Sequence, residues 1–67
     1  MYAKELQIIF IRELVNKDKP KERFIQQTFH EVYQVSRCSS GIMFKFDVNG
    51  PEYFHPWHII ERVRIIR

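Results

Sequence analysis

The sequence holds a single cysteine, Cys38. No internal disulfide can brace it, so the fold must stand on core packing or on a partner. No uninterrupted apolar run approaches the ~20 residues of a membrane span. The opening Met1-Tyr2-Ala3-Lys4-Glu5 lacks signal-peptide character. A cytoplasmic chain with no membrane association is the expectation. There is no repeat, no low-complexity tract, no linker and no Gly-rich phosphate loop. Charge of one sign is also scarce. Eleven Lys and Arg stand against eight Asp and Glu, a net +3. That is far from the strong electrostatic footprint of a dedicated nucleic-acid binder. What is present is apolar: 45% of the 67 residues are hydrophobic and 15% aromatic, too much for a disordered tail. The length fits one small domain, 1–67, with a thin stability margin.

Leu6-Gln7-Ile8-Ile9-Phe10-Ile11 reads as a strand rich in β-branched residues. Leu6, Ile8 and Phe10 fall on one face and Ile9 and Ile11 on the other, so period-2 geometry asks for cover on both sides. Asn16 to Glu22 is a charged, Pro-containing loop. The stretch from Phe24 to Val35 is ambiguous. Phe24, Ile25, Thr28, Phe29, Val32 and Tyr33 make the pattern of an amphipathic helix, with Gln26, Gln27, His30, Glu31 and Gln34 opposite. Asp18 is placed to cap such a helix, with Pro20 in its first turn. The residue types argue the other way, because Thr28, Phe29, His30, Val32, Tyr33 and Val35 are middling or poor helix formers.

Ile42, Phe44, Phe46 and Val48 alternate with Met43, Lys45 and Asp47, the pattern of a half-buried strand. Cys38-Ser39-Ser40-Gly41 is the turn leading into it. Asn49-Gly50 follows, a dipeptide that predicts a two-residue type I′ hairpin with Gly50 at positive φ and Phe44 and Phe46 inside. Tyr53-Phe54-His55 begins the return strand. Pro56 interrupts it, because proline cannot donate to a ladder, and one helical turn is expected at Pro56-Trp57-His58-Ile59. Glu61 to Ile65 is a last strand with Val63 and Ile65 inward and the arginines outward.

This order of events resembles an SH3-like small barrel of the kind found in proteins of bacteria and their phages. The residues that carry the resemblance are Val32-Tyr33-Gln34-Val35, Phe44-Lys45-Phe46-Asp47-Val48-Asn49-Gly50, and the run from Tyr53 to Val63. The resemblance implies a five-stranded all-β barrel. The alternative fold is α+β, with a helix over 20–35 packed on a four-stranded antiparallel sheet. Three departures separate the chain from peptide-binding SH3 domains. Ile11-Arg12-Glu13-Leu14-Val15 stands where those carry an Ala-Leu-Tyr-Asp-Tyr-type motif. Gly41-Ile42-Met43 stands where a groove tryptophan opens the middle strand, and a Lys-rich loop replaces the acidic one. Recognition of Pro-rich peptides is therefore not carried over.

Candidate chemistry is sparse. His55-x-x-His58, with His30 and Cys38, falls short of the paired spacing a zinc site needs at both ends, and no metal or cofactor is expected. Cys38 has no base beside it in sequence to make it a nucleophile. The basic residues form two clusters, Lys17, Lys19, Lys21 and Arg23 in the loop and Arg62, Arg64 and Arg67 along the last strand. Arginines beside aromatic rings are what single-stranded nucleic-acid binding uses. The same arginines also suit the solvated face of an edge strand, where charge deters aggregation. Large apolar groups outnumber what one small core hides. Ile9, Ile11, Met43, Trp57 and Ile66 are the expected surplus, which leaves self-association open.

The leading expectation is a non-enzymatic protein-binding module, a small regulator or inhibitor of phage or mobile-element type. Met43, Tyr53, Trp57 and His58 are its expected contact residues, with Trp57 as partly exposed anchor or as plug of the barrel's end. The alternative is a nucleic-acid-binding module using Arg62, Arg64 and Arg67.

Overall fold

β-Branched and aromatic residues are spread through both halves of the chain, and such residues pack well on a pleated surface. The computed structural model, which describes residues 1–67, places them in six strands. These are β1 (Ala3–Val15), β2 (Arg23–Val32), β3 (Gln34–Arg37), β4 (Gly41–Lys45), β5 (Tyr53–Pro56) and β6 (Ile60–Ile66). A single 3₁₀ turn, Trp57–Ile59, separates β5 from β6. No helix is long and apolar enough to cross a membrane. The strands form two antiparallel three-stranded sheets, ordered β2-β1-β6 and β3-β4-β5.

The chain bends at Glu31, whose φ of 54° is its only positive value, and passes from one sheet to the other at Tyr33, between β2 and β3. The Tyr2 hydroxyl donates to the Glu31 carboxylate beside this bend. Val32 and Val35 follow on either side of Tyr33 and are both buried. The first residue couples the sheets. The Met1 ammonium donates to the Val35 carbonyl at 3.2 Å, and Val35 N–H donates back to the Met1 carbonyl at 2.7 Å.

Cross-strand partners share a face, so the register assigns the core. Leu6 pairs with Phe29 and Ile65, and Ile8 with Gln27 and Val63, on the inner face of the first sheet. Val35, Phe44 and Tyr53 form the matching row of the second. Ala3, Leu6, Ile8, Phe10, Val32, Val35, Ile42 and Phe44 are the buried hydrophobic core. Around it runs an aromatic chain. Phe29, Phe46 and Tyr53 surround Phe44 with ring centroids 5.1–5.9 Å away, and Phe24 tilts against Phe10 at 5.6 Å.

The chain is thus all-β, and the helix over 20–35 does not form. Its apparent periodicity has a physical origin. The β1–β2 register shifts between Ile9 and Leu14, and Ile25 and Gln26 are exposed in succession. That bulge and the bend at Glu31 space the inward residues of β2 as Phe24, Gln27, Phe29 and Val32. A period of 2 broken twice imitates a period near 3.6. Ile25 and Tyr33, assigned to the buried side of the helix, are 61% and 44% exposed.

Two further expectations are corrected. There are six strands rather than five, because residues 23–32 form a strand of their own that Tyr33 separates from β3, and the sheets do not close into a barrel. The connection after β4 is not a two-residue hairpin. Gly50 does not have positive φ; its N–H donates to the Asp47 carbonyl at 3.1 Å. The frame Asp47-Val48-Asn49-Gly50 puts Asp first and Gly last, as type I turns favour, and this overrides the Asn-Gly dipeptide. Phe46 leaves the strand yet keeps its inward place, half-buried against Phe29, Phe44 and Tyr53.

Candidate functional site

β6 pairs only with β1 and presents one free edge; β3 pairs with β4 and, on its other edge, exchanges two backbone hydrogen bonds with Met1 at Val35. An open seam lies between β6 and the end of β3 at Arg37. Arg37, at the end of β3, lines two adjacent shallow depressions in it, of about 270 and 240 Å³. Trp57, Ile60, Glu61, Arg62 and Val63 complete the first; Met1, Ile65 and Arg67 complete the second.

The local sequence explains how each side chain arrives there. Pro56 is extended, with φ −73° and ψ 148°, and it ends β5, so the chain turns once before β6. That turn is pinned to the β3–β4 connection. Trp57 N–H donates to the Ser40 carbonyl at 3.1 Å, and the indole Nε1–H donates to the Cys38 carbonyl at 2.7 Å. The Cys38 N–H closes the same connection on the Gly41 carbonyl at 2.9 Å. Trp57 is half-buried, packed against the core while facing the seam. Val63 and Ile65 point inward, opposite Ile8 and Leu6. Arg62 and Arg64 fall on the outer face opposite Ile9 and Gln7, with Arg62 at the rim of the seam.

The charge of the seam is uncompensated. The ion pairs of the chain are Lys19–Glu22 and Arg23–Glu13, and His30 lies 3.8 Å from Glu5, all elsewhere. Arg37, Arg62, Arg64 and Arg67 form none, and Glu61 is the one acidic residue in the lining.

The expected contact set is not brought together. Trp57 and His58 are neighbours in the 3₁₀ turn, and His58 is exposed. Met43 lies on the outer face of the second sheet, paired with Phe54. Tyr53 lies on the inner face, stacked on Phe44 at 5.6 Å and 22°. It stands at the far end of β5 from Trp57, roughly 13 Å of extended chain away. Of the three arginines, Arg62 and Arg67 reach the seam, and Arg64 stands on the adjoining outer face. Of the expected apolar surplus only Ile11 is exposed; Ile9, Met43, Trp57 and Ile66 are half-buried.

Arg37 was not marked by sequence reasoning, although a signal for it exists. It stands two residues after Val35 and so shares the face of a core residue. A charge in that position must sit where the core ends.

The remaining titratable candidates are dispersed. His55 faces the core, edge-on to Phe10 at 5.5 Å and 90°. Its Nε2 lies 3.1 Å from Gln27 Oε1, and burial lowers its pKa below 6.5. His30 is exposed on β2, 3.8 Å from Glu5. The Cys38 thiol is exposed and donates to the Gly41 carbonyl at 3.4 Å. No three of the His, Cys, Asp and Glu side chains gather to hold a metal ion. No family model, curated protein or solved structure matches the chain.

Proposed function

We propose that this chain is a non-enzymatic protein-binding module whose binding surface is the seam between β6 and β3. The observation that carries the reading is the shared lining of the two depressions. Arg37, Arg62 and Arg67 frame it with Trp57, Val63, Ile65 and Met1 between them, and no ion pair neutralises the arginines. Tryptophan and arginine are the residues most enriched among binding hot spots. The two adjoining depressions and their positive charge suit an extended, acidic partner. The role of a small regulator or inhibitor, acting by occupying such a partner, belongs to the same proposal.

A nucleic-acid role uses the same charge but has less support. Sequence-tolerant binding of single strands relies on several stacking rings along a groove. Here one ring, Trp57, lines the seam, while Tyr53 and Phe54 lie on β5 beyond it. Titration of the chain with an acidic peptide and with a random single-stranded oligonucleotide, each at two salt concentrations, tests the choice. The module reading expects the peptide to bind. Tight oligonucleotide binding that weakens steeply with salt, with no peptide binding, overturns it.

A further inference from the structure

β6 is seven residues long and pairs on one side only. Half of its backbone N–H and C=O groups therefore point away from β1, toward the seam, where no strand of this chain receives them. Such an edge is a template for another strand, and proteins that leave one open commonly guard it with charge. Guarding accounts for Arg64 on the outer face. It does not account for Trp57, Val63, Ile65 and Met1, which line the open depressions along the same edge.

We infer that the seam is filled by strand addition: an extended acidic segment of a partner protein pairs with the free edge of β6. This rests on the protein-binding reading and specifies how the partner is held. The side-chain order of β6 writes the pattern of its occupant. Arg62 and Arg64 share the outer face, and Val63 and Ile65 the inner one. A strand laid beside them therefore needs carboxylates at alternate positions, opposite the arginines, and apolar side chains between, over the floor of the seam. Main-chain bonds supply affinity in this mode of recognition and the alternate side chains supply specificity. A second copy of this chain does not meet the requirement. Antiparallel pairing of β6 with itself about Val63 sets Arg62 of each copy directly opposite Arg64 of the other, and like charges directly opposite are destabilising.

The test uses the full chain and a fluorescein-labelled decapeptide of alternating Glu and Val, with its alternating Lys and Val counterpart as control. Strand addition expects the acidic decapeptide to bind and the basic one not to. It also expects Arg62→Glu with Arg64→Glu to weaken the acidic peptide about tenfold or more while far-UV dichroism stays unchanged. Two further peptides then carry N-methyl groups, one on odd and one on even positions. Only one set removes donors that face β6, so one should bind about tenfold or more weaker than the other. Equal effects of the two methylated sets overturn strand addition while leaving the protein-binding module intact. Failure of the acidic decapeptide to bind at all, or binding of single-stranded oligonucleotide in its place, overturns both.

Discussion

Gln27 of β2 and His55 of β5 meet across the core, with Gln27 Oε1 and His55 Nε2 3.1 Å apart. They belong to different sheets, and the contact ties the two layers where Phe10 and Phe44 pack against the imidazole. The neutral Nε2–H tautomer donates to the Gln27 carbonyl oxygen. Protonation would place a charge among rings, which is why desolvation lowers the His55 pKa.

A pH dependence follows. The folded chain holds His55 neutral to lower pH than the unfolded chain does, so the unfolded state binds more protons just below pH 6.5. Stability from this group is present in full above that value and is lost as pH falls toward the lowered folded pKa. Urea melts at pH 7.5 and 5.5 should show the acid condition weaker. In His55→Gln the difference between the two should shrink. An unchanged difference in the variant would remove His55 as its source.

The bend at Glu31 allows a sharper backbone test. A non-glycine residue at φ 54° is uncommon, and a β-branched one is a genuine outlier there. Glu31→Val should cost about 1–3 kcal/mol in chemical denaturation. Glu31→Gly should be close to neutral, since relief of strain offsets the lost bond from Tyr2. Equal costs for the two variants would show that the bend does not depend on the left-handed conformation.

How far the sequence discloses the molecule depends on where local and tertiary signals agree. Val63 and Ile65 inward with the arginines outward, the turn at Trp57–Ile59 after Pro56, and the charged loop over 16–22 were all legible. Each rests on a strict alternation or a proline. Residues 24–35 were legible by composition but not by period, because a bulge and a left-handed residue break the alternation. The turn after β4 was misread because Asn49-Gly50 sits inside a longer Asp47-to-Gly50 frame. Trp57 and Arg62 could be singled out as candidates. Their meeting with Arg37 could not, since it depends on a gap between two sheets, and a gap leaves no periodicity in the chain.

The glycines separate two of these cases experimentally. A Cβ on Gly41 would lie 2.2 Å from the His55 carbonyl oxygen and 2.8 Å from Pro56 Cα, both backbone atoms of the neighbouring strand. Gly41→Ala must therefore push β4 and β5 apart, at a cost of about 2 kcal/mol or more. A Cβ on Gly50 meets nothing nearer than Asp47 Cβ at 3.2 Å, and its φ is not positive. Gly50→Ala should cost under about 1 kcal/mol. Denaturant midpoints in the reverse order would restore the two-residue hairpin at Asn49-Gly50.

Trp57 is the only tryptophan, so its fluorescence reports on the seam without labelling. It is half-buried and its N–H is held by the Cys38 carbonyl. Its emission should fall between those of buried and solvated indoles, and acrylamide should quench it in part. Trp57→Phe keeps an aromatic body but removes the donor, and the bond it loses is worth about 1 kcal/mol of stability. Trp57→Ala also opens the core edge that the ring covers, with a cost toward ~3 kcal/mol. Binding separates the ring's two contributions. If the indole face contacts the occupant of the seam, the acidic decapeptide should protect Trp57 from acrylamide, and Trp57→Phe should bind more weakly than the change in stability explains. An indole that acrylamide cannot reach in the free chain would make Trp57 a plug, and an indole equally quenched with and without peptide would place the contact away from the ring.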